Sequence, residues 1–272
     1  MKNGNHEASR DLMNHVAKCS VLGVWANVFT IDTFMATMRQ AINSHTRCII
    51  GNHNLHSIYL HHHDAQMHAF FEVVDYAYID GMPFVLWGKL MGFPLERVHR
   101  LTCVDWVPQL IERCAVEHWR VFYLGAKPGV AARGAEQFRT QLPGLNIATA
   151  HGYFDLDSAD NARIVAQINA FDPDILLVGM GMPRQEDWIY QNYTQLSARC
   201  IITVGAVIDY LTGEIPTPPR WTGQMGLEWL ARLIAEPRRL GKRYLVEPWF
   251  LLPYMAQDVT ARLRGRHGRE EA

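Results

Sequence analysis

The stretch YIDGMPFVLWGKLMGF, from Tyr78 onward, sets a carboxylate between an apolar run that reads as a strand and one that reads as a helix. Asp80 closes the first run, Gly81 gives the backbone room, and the helix begins near Pro83. A carboxylate half removed from water there titrates above its usual range and can take a proton from a hydroxyl. The same residue also suits a plain helix N-cap, which stabilises by ~1 kcal/mol. Spacing leaves both roles open.

A second group of residues suits an anionic ligand. In LLVGMGMPRQEDW a buried strand ends in Gly179 and Gly181 and a helix starts at Pro183. Glycine lets a phosphate approach the backbone, and the N–H groups of a helix start attract anions. Gln185 and Glu186 lie in that first turn, within reach of a sugar or base; the helix dipole alone also favours Glu186 there. FYLGAKPGV repeats the form with Gly125, and TVGAVIDYLTG repeats it with Gly205 and Asp209. Each glycine taken singly is an ordinary left-handed turn. Three strand ends of one kind point to a single glycine-lined cleft shaped for a nucleotide diphosphate.

Other chemistries find little support. His53, His56, His61, His62, His63 and His68 crowd one segment. Three adjacent histidines cannot face one site and no HExxH is present, so they read as polar surface residues with no metal site. GxSxG is absent, as are RNP, zinc-finger and helix-turn-helix patterns, and no nucleic-acid partner is expected.

The elements that must position these residues alternate. VLGVWANVF reads as a strand, and Ile31, Phe34, Met35 and Met38 mark a helix face capped by Thr30 or Asp32. Strands follow at RCIIG, YAYI, WRVFYLG, LNIAT, DILLVGMG and RCIITVGAVID. Helices are read at DAQMHAFFEVVD, KPGVAARGAEQFRTQL, DSADNARIVAQINAF and PRQEDWIYQNYTQL. This alternation predicts an α/β fold, Rossmann-like, with a mainly parallel sheet flanked by helices. Residues 1–18 read as a flexible lead-in, 19–212 as the α/β domain, and 213–272 as a helical appendage behind a proline-rich hinge.

Composition sets limits. The 272 residues are 49% hydrophobic and 19% charged, which suits one large folded domain with an appendage. Net charge is −1, but from Arg220 to the end ten Lys/Arg face six Asp/Glu, a local +4 that leaves −5 on the rest. A basic, aromatic-rich tail on an acidic body predicts contact with an anionic membrane surface; a solvated basic face is the plainer reading. Trp221, Trp229, Trp249, Phe250 and Tyr254 suit the headgroup level, or the packing of the tail onto the body. No apolar run reaches the ~18 residues of a membrane span and no signal peptide is visible. Five cysteines without a CxxC pair fit a reducing compartment, so the expected location is cytoplasmic, peripheral to the inner face of the membrane.

Taken in order, IDG, PLERV, VFYLGAKPGV, HGYF, DILLVGMGMPRQEDWI, VGAVIDYLTG, PPRW and GLEWLARLIAEPRR resemble the WecG/TagA/CpsF glycosyltransferases over residues 20 to 250. The resemblance implies an inverting transfer, without metal or cofactor, from a UDP-sugar donor to a polyprenyl-diphosphate-linked sugar acceptor. It makes Asp80 the general base, sets Arg97 at a diphosphate, and brings Gln185 and Glu186 into the site. It also implies C-terminal helices that dock on the bilayer and close over the cleft. Tail arginines, Arg220, Arg232, Arg238 and Arg239 among them, are then candidates for the diphosphate. Two departures bear on the sugar: Asn52 stands where the family often has Thr, with Asn54 kept, and RVHRLTCVDW replaces the usual Gly and Asp after ERV. NHNLHS is similar to the branch serving xanthan- or acetan-type exopolysaccharides, which implies β-1,4 transfer of glucose from UDP-glucose. N-acetylmannosaminyl transfer from UDP-ManNAc is the alternative within the family. A nucleotide-dependent oxidoreductase and a non-catalytic membrane scaffold are the alternatives outside it. Oligomeric state, a homo-oligomer included, stays open.

Overall fold

The computed structural model describes residues 16–216 and 237–264, together with residues 230, 233 and 234. The chain begins with a hairpin, β1 (Lys18–Val21) and β2 (Val24–Asn27), paired antiparallel. The sequence reading expects one strand here. Leu22 and Gly23 both take positive φ (56° and 72°), which turns the chain back on itself within two residues.

Helix α1 (Ile31–Asn43) follows, and Thr30 rather than Asp32 caps it: Thr33 N donates to Thr30 Oγ1 at 3.2 Å. Its buried face is Phe34, Met35, Met38, Ala41 and Ile42. Then come β3 (Cys48–His53), α2 (Leu55–His63), α3 (Ala65–Val73), β4 (Tyr76–Ile79) and α4 (Met82–Leu90). A short 3-10 turn at Arg97–His99 leads into α5 (Cys103–Glu117). The regular alternation continues with β5 (Arg120–Gly125), α6 (Val130–Gln141), β6 (Asn146–Ala150), α7 (Ala159–Phe171), β7 (Ile175–Gly179), α8 (Arg184–Asn192), β8 (Cys200–Thr203) and α9 (Val207–Leu211). The last predicted strand therefore stops at Thr203, and Val207 to Asp209 are helical.

Six strands form one wholly parallel sheet in the order β4-β3-β8-β7-β5-β6. Helices cover both faces, so β3, β4, β7 and β8 are buried at every position. Alternate strand residues serve opposite cores. Ile50, Tyr78, Val121, Leu177 and Ile202 pack with α1, α5 and α6. Ile49, Ala77, Phe122, Leu176 and Ile201 pack with Phe70 and Phe71 of α3 and Trp188 and Ile189 of α8. Each such side chain removed from water stabilises by roughly 1.5–3 kcal/mol. The hairpin guards the edge strand: Ala77 N donates to Asn27 Oδ1 at 3.0 Å.

The tail packs on the body. Helix α10 (Pro237–Gly241) runs through a π turn (Lys242–Val246) and a 3-10 turn (Glu247–Leu251) into α11 (Leu252–Leu263). Leu251 joins a third core with hairpin residues, Ile58, Ile79, Phe84 and Val85. Asp258 Oδ2 accepts from Leu22 N at 2.9 Å and from Trp87 Nε1 at 2.7 Å. His56 Nδ1 donates to Glu247 Oε2 at 2.7 Å.

The histidines are not all at the surface, as their polarity suggests. His53 is 1% exposed, stacked on Phe71 with ring centroids 4.1 Å apart. His62 stacks on Tyr254 at 3.9 Å, while its Nε2 donates to Leu22 O. The segment is packing material between β3, the hairpin and the tail. Phe250 and Tyr254 belong to the same packing, whereas Trp249 is 69% exposed. Trp221 and Trp229 lie outside the described residues.

Candidate active site

The chain leaves β3 outward to β4 at one edge and leaves β5 outward to β6 at the other; β7 and β8 fill the middle. After β3 the chain passes to the face covered by Phe70 and Phe71, whereas after β8 it passes to the other face, where Val207 and Ile208 pack, so the loops beyond these two carboxyl ends diverge and leave a crevice. A cleft of about 200 Å³ lies there, lined by Asn52, Asn54, Asp80, Gly181, Gln185 and Gly205. Six of the residues read from sequence as site residues are therefore brought together.

One wall is built of side chains. Asp80 is half-buried, its N–H held by His53 O at 2.8 Å and its Oδ1 reached by Thr102 Oγ1 at 3.4 Å. The cap position of α4 belongs to Gly81, one residue on, and no side chain caps that helix. The capping role left open by the sequence is thus not what holds Asp80 here. Leu101 N donates to Ile79 O at 2.8 Å, which sets Thr102 beside the strand end. Asn52 is buried, and its Oδ1 accepts from Thr203 Oγ1 at 2.9 Å. Asn54 caps α2, with its Oδ1 accepting from His56 N and Ser57 N at 3.0 and 3.1 Å. That oxygen also meets Arg243 Nη2 of the tail at 3.3 Å.

The opposite wall is backbone. The glycines read from sequence divide by function. Gly125 and Gly179 pair across β5 and β7, and a Cβ on Gly125 would lie 2.2 Å from Gly179 O. A Cβ on Gly179 would lie 2.1 Å from Tyr123 Oη and 2.6 Å from Gly205 O. These two are glycine because strand ends crowd each other, and neither lines the cleft. Gly181 (φ +79°) and Gly205 (φ +55°) line it and face open space. Their N–H groups, however, both donate to Gln185 Oε1, at 3.2 and 3.1 Å. Gln185 Nε2 in turn donates to Glu186 Oε1 at 2.7 Å. Glu186 is 1% exposed and does not line the cleft, and burial pushes its carboxyl up to about 8.

Several residues named from sequence lie elsewhere. Arg97 sits exposed on the 3-10 turn after α4, and Arg238 is exposed on α10; neither lines the cleft. Asp209 lies on α9, which turns Val207 and Tyr210 toward the cleft instead. Burial raises the Asp209 carboxyl, and Lys127 acts against that rise. Arg220 and Arg232 lie outside the described residues, and nothing is described of the Arg239 side chain. Sequence reasoning missed Thr102, Tyr210 and the tail residues Leu240, Arg243 and Tyr244, which also line the cleft.

Fold and site together define a doubly wound α/β protein with a polar crevice at its switch point, acid on one wall and glycine turns on the other. The chain belongs to the glycosyl transferase WecG/TagA/CpsF family, whose pattern matches residues 19–264. It is similar to the N-acetylglucosaminyldiphosphoundecaprenol N-acetyl-beta-D-mannosaminyltransferases of Staphylococcus aureus strains MRSA252 and NCTC 8325 / PS 47. Each is 28% identical over 177 residues, 64% of this chain and 68% of the relative. Among the described residues, no helix is long and apolar enough to cross a membrane.

Proposed function

We propose that this chain is a UDP-sugar-dependent hexosyltransferase that acts on a polyprenyl-diphosphate-linked sugar, with Asp80 as general base. The observation that carries the reading is the position of Asp80: half-buried, hydrogen-bonded to Thr102, and facing the switch-point cleft of a glycosyltransferase-family chain. The acceptor class is supported by the relatives, whose names give a diphosphoundecaprenol-linked sugar.

In the proposed step Asp80 takes the proton of an acceptor hydroxyl as that oxygen attacks the anomeric carbon of the donor. The bond from that carbon to the UDP oxygen breaks, UDP departs with the electron pair, and the anomeric centre inverts. A positioned base contributes typically ~10²–10⁴-fold. Arg243, at the cleft, is placed to meet the charge of the leaving diphosphate, a role the resemblance gives to tail arginines. The exposed tail residues Leu245, Val246, Trp249 and Leu252 support work at a bilayer surface, where a lipid-linked acceptor resides.

For the donor we take glucose, on the likeness of NHNLHS to the exopolysaccharide branch. The relatives' names favour N-acetylmannosamine as the second reading. One experiment separates them: labelled UDP-glucose and UDP-ManNAc offered with short-chain glucosyl- and N-acetylglucosaminyl-diphosphate lipids in anionic liposomes. Product analysis and co-flotation of the chain are read together. Asp80→Asn is expected to lower turnover ~10²-fold or more with the fold intact. Transfer undiminished in that variant, or tight NAD binding with none to UDP, overturns the reading.

A further inference from the structure

The resemblance sets Gln185 and Glu186 among the substrate contacts. Their geometry assigns them other work. Gln185 backs the cleft but leaves no surface open to water, and Glu186 is 1% exposed. The Gln185 amide oxygen is occupied by two backbone donors, Gly181 N at 3.2 Å and Gly205 N at 3.1 Å. One donor belongs to the turn after β7 and the other to the turn after β8, so a single oxygen ties two separate loops. An amide can bind this way only if its oxygen, and not its nitrogen, faces the glycines. Glu186 fixes that choice, because its Oε1 accepts from Gln185 Nε2 at 2.7 Å.

We infer that Gln185 and Glu186 are positioning residues, a clasp that joins the β7 and β8 turns and so sets the width of the cleft opposite Asp80. This rests on the proposed function for its kinetic consequence, though not for its structural one. The clasp works with an uncharged acid. Burial is the main cause that pushes the Glu186 carboxyl up to about 8. Its Oε2 is buried without a hydrogen-bond partner among the described residues, a poor setting for a carboxylate. Among the groups around it, Tyr78 of β4 is a phenol held well above its usual range by burial. Asp187 beside it is pushed up to about 6, by burial and then by Asp64. The packed helix α3 carries Asp64 at its start, with His68 and Glu72 on its exposed side. Strand β7 brings no titratable group and β8 brings Cys200. Arg184 on the same helix as Glu186 turns its guanidinium to Gly152 O, Phe154 O and the Phe154 ring, and Arg163 of α7 pairs with Asp160, so neither cation favours the ionised acid. Raising the pH through about 8 therefore puts an unpaired charge under the cleft and strains the clasp.

Two readouts test this, one of them independent of any reaction. Amide hydrogen exchange at Gly181 and Gly205 is expected to quicken roughly tenfold in Gln185→Leu, as loss of an ordinary hydrogen bond allows. Unchanged exchange at both glycines overturns the clasp, whatever the enzyme transfers. In the transfer assay, wild-type kcat/KM is expected to fall above about pH 8. Glu186→Gln, which keeps a carbonyl for Gln185 and cannot ionise, is expected to retain turnover at pH 7 within a few fold and to lose the alkaline fall. Glu186→Leu is expected to lose turnover at every pH; should it not fold, the Glu186→Gln profile stands alone. An alkaline fall that persists in Glu186→Gln overturns the assignment of Glu186. If wild type transfers no sugar, the proposed function fails while the exchange experiment still decides the clasp.

Discussion

Replacing Asp258 with alanine should loosen the C-terminal helices while leaving the sheet intact. Asp258 lies on α11 and is 8% exposed. One of its oxygens accepts both Leu22 N, at the hairpin turn, and Trp87 Nε1 of α4. A hydrogen bond to a charged group contributes about 1.5–3 kcal/mol, and a donor left buried without a partner costs about 1–3 kcal/mol. The two donors here share an oxygen and regain water when the tail lifts, so the sum is less than twice that. We take ~3 kcal/mol for the pair, which is on the order of 10²-fold in the opening equilibrium. The His56–Glu247 pair remains in the variant and holds the other end. The assay is hydrogen exchange of the α11 amides, with β3 and β7 as internal controls. Exchange across residues 252–263 should rise on the order of 10²-fold while the strands keep their protection. Asp258→Asn, which retains one carbonyl acceptor, should fall between the two. Exchange of α11 within about threefold of wild type would refute the view that this carboxylate docks the tail.

Gly125→Ala should cost about 3 kcal/mol or more in denaturant unfolding, because its Cβ would stand 2.2 Å from the Gly179 carbonyl oxygen, and backbone yields little. Gly181→Ala meets nothing within 4 Å and should cost only the left-handed penalty, ~1–2 kcal/mol; equal losses at the two sites would contradict the division drawn between them. His53, buried and stacked on Phe71, is lowered to about 3, chiefly by burial and then by His61 and His62. A lowered histidine binds fewer protons folded than unfolded, so its contribution is fully present above ~6.5 and is lost as the pH falls toward 3. Between pH 6.5 and 5 this amounts to about 1.5 kcal/mol, and unfolding of His53→Phe should show a correspondingly shallower acid slope. An acid slope equal to wild type would move the effect to other groups.

The parallel sheet was legible because βα alternation, apolar runs and glycine at strand ends all agree from Arg120 onward. The first third was harder for identifiable reasons. VLGVWANVF is apolar throughout, and its turn uses Leu22 at positive φ, which residue type does not announce. Helix α2 is rich in histidine and buries little besides Ser57 and Ile58, so its apolar period is faint; the legible signal was Asn54 with Ser57 three residues on, a capping box. Helix α5 carries Pro108 inside it, and that broke a period that Trp106, Leu110, Ile111 and Cys114 otherwise mark. The site was half legible. Residue type and strand-end position found Asp80 and two cleft glycines, and the family resemblance added Asn52 and Asn54. They could not separate a glycine that faces a ligand from one that faces another strand, because that depends on which strand ends abut. Arg243 escaped because its direction depends on helical phase, and the tail passes through α, π and 3-10 turns within fifteen residues, Pro237–Leu251.

The clasp also changes where charge must be met in the proposed transfer. From sequence, the glycine-lined backbone was to let the departing diphosphate approach, with the N–H groups of the helix starts attracting it. Gly181 and Gly205 have spent theirs on Gln185, so these turns offer shape and close approach more than hydrogen bonds. The β3–β4 wall offers a carboxylate and amides, none of which neutralises an anion. A cation must then come from another element, and the cleft lining supplies Arg243 from the tail. Its place depends on the tail being docked, since its guanidinium reaches Asn54 at 3.3 Å from a segment anchored by Glu247 and Asp258. On this argument Asp258→Ala, nowhere near the reacting atoms, lowers kcat by weakening stabilisation of the leaving group. The loss should shrink for donors with a better leaving group than UDP, whereas the loss in Asp80→Asn, which concerns the attacking hydroxyl, should shrink least.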